Sequence, residues 1–200
     1  MDERQFETRK QIDENIIKVY RYGSTVYGTD TSESDNDYIV VVESDDLLYY
    51  SVEEDNDNYT VYSELMFIKK IHEHHISALE CIFQTDDDPY LNYFIYNSES
   101  LRRAISSVSS NSFVKCKKKL AIGEEYIGKK SMFHSLRILM FGIQIAKYGK
   151  IVDYGCANQL LASIISMSSW DVIKLMCQPI YNNLKSEFKE LAPLESEKNV

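Results

Sequence analysis

YRYGSTVYGTDTSESDNDYIVVVE, residues 20–43, carries two of the chain's 7 glycines, Gly23 and Gly28, and ends in Asp-Asn-Asp ahead of an apolar run. IIKVYRYG (16–23) reads as a strand ending at a glycine turn. DYIVVVE (37–43) is a short, continuous, β-branched run, the pattern of a buried strand. Between them, Gly23-Ser24 closes one strand and opens a helical turn.

Asp35 and Asp37 stand two apart at the entry to the second strand, so their side chains share a face. Two carboxylates that close repel each other unless a cation or donor lies between them. Hard oxygen donors suit Mg²⁺. Such a pair can hold one or two ions that neutralise a triphosphate and activate a hydroxyl for in-line attack. Two-metal sites recruit a third carboxylate, and Glu64 lies on the next strand candidate, YTVYSELMF (59–67), where Thr60, Tyr62 and Glu64 alternate onto one side. Upstream, glycine lets backbone amides approach an anion, a helix start adds donors, and the Ser24 hydroxyl can donate to a phosphate oxygen.

Composition bounds the rest. At 200 residues, 44% hydrophobic and 26% charged, the chain has the make-up of one good-sized globular domain or two small packed ones. No apolar run approaches the roughly 20 residues that span a bilayer. The charged N-terminus lacks a signal-peptide core, so a cytoplasmic location and no membrane partner are expected. Cys81, Cys116, Cys156 and Cys177 form no CxxC pair and read as buried free thiols. A net charge of −9 excludes a broad nucleic-acid-coating surface but leaves room for a local basic groove. Lysines cluster at 115–119 and 129–130.

Residues 3–15 have helix-forming composition, and SDD and EEDNDN bracket a small hairpin or loop. From about residue 65 the pattern is helical, DDDP (86–89) is a break, and almost only helices follow residue 98. GKKSMFHSLRILMFGIQIAKYGK (128–150) is long and apolar with Gly149 at its end, and Pro179 marks a kink or break in the last helix. The pattern is thus a small α/β half followed by a helical half, with a soft boundary near residues 86–98.

Gly23-Ser24, Gly28 and Ser34-Asp35-Asn36-Asp37 before an apolar strand resemble the GS…G…SDxD signature of the DNA polymerase β-like nucleotidyltransferase superfamily. GSTVYGT resembles the GSxxYG form in nucleotidyltransferases of phages and RNA-repair gene neighbourhoods. In those, following helices carry a K…HxxR motif, matched here by Lys130, His134 and Arg137, so the resemblance covers roughly residues 15–150. It implies an α+β fold, with a mixed sheet and helices in a catalytic domain over 1–90 followed by an all-helical domain over 98–195. Asp35, Asp37 and Glu64 would act as catalytic metal ligands for two Mg²⁺ or Mn²⁺ ions. Gly23, Ser24, Ser34, Lys130, His134 and Arg137 would bind a nucleoside triphosphate. The implied reaction moves a nucleoside monophosphate to an acceptor hydroxyl on an RNA or DNA end and releases pyrophosphate. A protein acceptor, as in AMPylating antitoxins, and a non-catalytic nucleotide-binding module are the alternatives.

Lys130, His134 and Arg137 are also spaced i, i+4, i+7, which puts them on one face of an otherwise apolar helix. A cationic stripe there needs an anion, a structural carboxylate or a path to water. Glu80, among apolar residues, is a candidate to orient Lys130 or Arg137. Lys115, Lys117, Lys118 and Lys119 either steer an acidic substrate or form a solvated face. The His72, His74 and His75 spacing fits a helical metal site poorly. Tyr20, Tyr22, Tyr27, Tyr38 and Tyr62 surround the motif as packing or base-stacking groups.

Overall fold

The computed structural model describes residues 15–197, so the helix-forming stretch noted at 3–15 falls outside the described residues except for Asn15. Four strands, β1 (Ile16–Tyr22), β2 (Asn36–Val42), β3 (Tyr49–Glu54) and β4 (Asp57–Ser63), form one sheet in the order β1-β2-β4-β3. β1 with β2 and β3 with β4 are antiparallel, whereas β2 and β4 run parallel, with Asp37 opposite Asn58 and Val42 opposite Ser63. The sheet is therefore mixed, as the resemblance implies. EEDNDN is the β3–β4 hairpin, and Asp55 takes the left-handed φ of 52° that a short polar side chain tolerates.

β2 is buried on both faces, which is why its apolar run is unbroken. Ile39 and Val41 pack with Tyr20, Tyr62 and Phe67 beneath the helices, while Val40 and Val42 pack with Val61, Tyr38 and Tyr59 on the other side. The strand expected over 59–67 starts earlier and stops at Ser63. That hydroxyl accepts from the Met66 amide at 3.3 Å and caps helix α2 (Glu64–His72). The one-turn helix α1 (Ser24–Tyr27) follows β1, and α3 (Ile76–Ile82) and a 3₁₀ turn (Pro89–Tyr93) complete this half.

Asn97 caps α4 (Ser98–Ala121), which returns as α5 (Glu125–Tyr148). The two are locked in register by reciprocal bonds. Ser109 Oγ donates to the Ser135 carbonyl at 2.8 Å, and Ser135 Oγ donates to the Ser109 carbonyl at 2.9 Å. α5 is buried on most sides because α4, α6 (Asn158–Ser166) and α7 (Trp170–Leu191) surround it. α7 continues through Pro179 rather than breaking there. The carbonyl four residues back belongs to Leu175, which is 73% exposed, so water can take the hydrogen bond that proline removes. One core cluster runs through both halves, from Tyr20 to Ala192. Among the described residues no helix is long and apolar enough to cross a membrane.

Candidate active site

The site begins where β1 ends beside β2. Tyr22 pairs with Asp37, so the next residue, Gly23, lies against the Asp37 carboxylate. Its φ of 73° belongs to glycine, and a Cβ there would stand 2.1 Å from Asp37 Oδ2. Gly28, at φ 70° and ψ 36°, ends α1 in the left-handed conformation and turns the chain away. α1 is a single turn, so its contribution to an anion is local. The first amides of the turn have no partner within the helix, and the Ser24 side chain stands beside them.

Asp37 Oδ1 accepts from Asn58 Nδ2 at 3.2 Å. Burial pushes the Asp37 carboxyl above the usual range; the Asn58 hydrogen bond opposes this, the neighbouring Asp35 charge adds to it, and Lys130 opposes it. A pocket of about 210 Å³ is lined by Ser24, Thr31, Ser34, Asp35, Asp37 and Lys130. Within it the Ser34 hydroxyl accepts from the Thr31 amide at 2.9 Å, so it shapes the turn that presents Asp35. The donor set fits Mg²⁺ or Mn²⁺: Asp35 and Asp37 share one pocket, with Glu33 at its lining too, and the missing Cβ of Gly23 leaves room beside Asp37.

Next to this pocket lies a larger cleft of about 420 Å³ between the sheet and helices α4 and α5. Gly23, Ser24 and Asp37 line it from the sheet side, and Lys115, Lys130 and His134 from the helices. His134 is partly buried, and its pKa is pulled down to about 3, first by burial and then by the charges of Arg137, Lys130 and Lys115. The imidazole is therefore neutral in a cleft with surplus positive charge.

Arg137 lines the same cleft but is 3% exposed and bound inward. Its guanidinium lies over the Tyr27 ring, and its Nη2 is 3.7 Å from Glu80 Oε1. The Tyr27 hydroxyl donates to Glu80 Oε2. Burial pushes the Glu80 carboxyl up, with Arg137 and Tyr27 pulling it back. Arg137 Nε and Nη1 and Glu80 Oε1 are buried without hydrogen-bond partners among the described residues. Asn158 Nδ2 donates to the Tyr27 carbonyl at 2.7 Å, and Tyr154 donates to the Glu80 carbonyl at 2.7 Å. The one-turn helix α1 is thus held by α3, α5 and the start of α6.

Of the residues expected at the site, Gly23, Ser24, Asp37, Lys130, His134 and Arg137 share the cleft, and Ser34 and Asp35 share the adjoining pocket. Glu64 joins neither. It sits past the far end of β4, six positions beyond Asn58, and accepts from the Tyr90 hydroxyl at 3.0 Å. At about 3.3 Å per residue that is roughly 20 Å from Asp37. The residue of that face that does stand beside the pair is Asn58. Alternation alone shows which face a side chain takes, and only the parallel register shows how far along the strand it lies. Glu80 pairs with Arg137 rather than Lys130. Tyr27 is part of the same cluster, with GSxxYG its sequence signal. The histidines serve locally: His74 Nε2 accepts from the Asn97 amide at 3.0 Å, and His75 Nδ1 lies 2.7 Å from Ser77 Oγ. Among the described residues, no group of three or more His, Cys, Asp or Glu side chains could hold a metal ion.

Residues 3–87 match the family model of the nucleotidyltransferase domain. The matched stretch holds Gly23, Ser24, Asp35 and Asp37. No curated protein matches the chain. Among solved structures, the spectinomycin adenyltransferase AAD(9) from Enterococcus faecialis, with ATP and spectinomycin, is 12% identical at a TM-score of 0.45; the match covers 94% of this chain and 100% of that one. A nucleotidyltransferase-like protein from Exiguobacterium sibiricum is 9% identical at a TM-score of 0.34, covering 94% of this chain and 75% of that one.

Proposed function

We propose that this chain transfers a nucleoside monophosphate from a nucleoside triphosphate to a hydroxyl at a nucleic-acid end and releases pyrophosphate, with Mg²⁺ or Mn²⁺ as cofactor. The observation that carries the reading is the contact between Gly23 and Asp37. A loop that can grip phosphate lies directly on the carboxylate that would hold the ion, at the mouth of a cation-lined cleft.

In this reading Ser24 and the first amides of α1 donate to the triphosphate, and Lys130 supports it from α5. Asp35 and Asp37 hold the ion, and Asn58 keeps Asp37 turned toward it. Bound there, a divalent ion lowers the pKa of the acceptor hydroxyl and neutralises the leaving pyrophosphate. With Glu64 past the far end of β4, Asp35 and Asp37 supply the ligands for one ion, completed by phosphate oxygens and water. Neutral His134 can accept a hydrogen bond from a substrate hydroxyl inside the cleft. Arg137 acts through Tyr27 and holds the loop. Residues 1–90 form the catalytic part and 98–195 the helical part that closes the cleft. An acceptor bearing phosphate suits the surplus of positive charge on the helical wall.

The test is incubation with each labelled triphosphate, Mg²⁺ or Mn²⁺, and a panel of RNA, DNA and protein acceptors. Label should appear on a nucleic-acid end and vanish in Asp35→Asn/Asp37→Asn. Label on protein alone would give the reaction a different acceptor. Absence of both transfer and metal-dependent triphosphate binding would overturn the enzyme reading.

A further inference from the structure

Helix α4 carries a row of cations that the transfer reading does not use. The Ser109–Ser135 lock fixes α4 against α5, and it brings Ser112 and Lys115 of α4 to the same cleft as Lys130 and His134 of α5. Lys118 follows one turn beyond Lys115 on the same side of α4, exposed, toward the turn that joins α4 to α5. Lys119 and Lys129 have their own carboxylates, Glu124 at 2.7 Å and Glu125 at 3.3 Å. Among the described residues, no carboxylate stands within ion-pair distance of Lys115, Lys118 or Lys130. A chain with 31 acidic and 22 basic residues has acid enough to neutralise every lysine. Leaving these unpaired in line concentrates positive potential along one track.

The track is longer than a triphosphate needs. Lys130 alone of these cations shares the small pocket with Ser24, Asp35 and Asp37. A triphosphate seated on Ser24 and Lys130 leaves Lys115 and Lys118 unneutralised, the latter about 4.5 Å further along the helix axis. A strand whose terminal hydroxyl reaches Asp37 carries its next phosphates outward along this line. Resting on the transfer reading above, we infer that Ser112, Lys115 and Lys118 of α4 form the seat for the phosphodiester backbone of the acceptor strand, separate from the triphosphate seat at Ser24 and Lys130. The recognition is of backbone phosphate, so it takes single-stranded RNA and DNA of any sequence, with a preference between them set elsewhere.

The experiment compares the wild type with Lys115→Gln/Lys118→Gln and with Lys115→Arg/Lys118→Arg in the full chain. Fluorescein-labelled single-stranded 12-mers of RNA and of DNA are titrated by anisotropy across a salt series, and a fluorescent ATP analogue is titrated in parallel. The glutamine variant should bind the 12-mers at least 10-fold more weakly. Its slope of log affinity against log salt should be shallower by about 1.4, the value for two lost contacts on a single strand. The arginine variant should restore both, and analogue binding should stay within about twofold. Unchanged 12-mer affinity and slope would overturn the seat while leaving the transfer reading intact. Loss of analogue binding instead would assign these lysines to the triphosphate and overturn it too. A wild type that binds neither 12-mer but labels a protein acceptor would sink the seat together with the nucleic-acid reading.

Discussion

The Arg137 guanidinium carbon lies 3.3 Å from the centre of the Tyr27 ring, so a helix of the C-terminal half rests on the residue that ends α1. Glu80 completes the group from α3. Removing one member of a buried ion pair strands the other, which costs about 3–5 kcal/mol. Arg137→Met and Glu80→Gln should each lose that much stability in urea unfolding. The double variant should recover a large part of it, because neither charge is then left alone. Single variants that unfold like the wild type would show that the pair bears no such weight.

Gly23→Ala tests the contact between loop and carboxylate. The new methyl would meet Asp37 Oδ2 from a backbone conformation that alanine resists. Displacing a reacting group by about 1 Å costs on the order of 100-fold in rate. Transfer should fall by about that factor, and the thermal midpoint should shift far less than in Arg137→Met. A variant with full activity would separate Gly23 from the site.

The carboxylates should sort by position. Asp37→Asn should abolish label transfer at saturating Mg²⁺, while Glu64→Gln should keep it within about twofold. Glu64→Gln should cost only the Tyr90 hydrogen bond, about 1 kcal/mol in unfolding. Asn58→Asp would crowd a third carboxylate against Asp37. It should lower the melting temperature in EDTA and regain it in Mg²⁺ more steeply than the wild type. Inactive Glu64→Gln protein that remains folded would restore Glu64 to the site.

His134 gives a dependence on pH. Its folded pKa, about 3, lies below the ordinary 6.5, so the unfolded chain binds the proton more readily between those values. The resulting stability is complete above about pH 6.5 and is lost as pH falls toward 3. Relative to His134→Gln, the wild type should lose stability faster on acidification from pH 7 to 5, by at most about 1.4 kcal/mol per pH unit. Parallel slopes for the two proteins would show that the ring is free to protonate.

The strands and the carboxylate pair were legible because they depend on neighbours in sequence. Alternation, a β-branched run, a glycine turn and an i, i+2 spacing each describe a few consecutive residues. Glu64 stands away from the pair because its place depends on the pairing of two strands separated by a hairpin. That register set Asn58 beside Asp37 and carried Glu64 to the other end. Ser63 also ended the strand before Glu64, a capping event hidden in an apparently continuous apolar pattern. The stripe at Lys130, His134 and Arg137 was legible as a face. Its division into a cleft-lining lysine and histidine and an inward-bound arginine required Glu80 and Tyr27, which come from other elements.

The buried tie from Arg137 to Tyr27 and Glu80 also bears on how substrates come and go. A hinge between the sheet and the helices would have to pull this group apart and separate the buried Arg137 and Glu80 charges. The two walls therefore move as one body, and the cleft keeps its width through a catalytic cycle. On the proposed reaction, nucleotide and acceptor would both enter and leave by the cleft that Lys130 lines. The order in which they arrive is then set by the depth each must reach rather than by a closing motion.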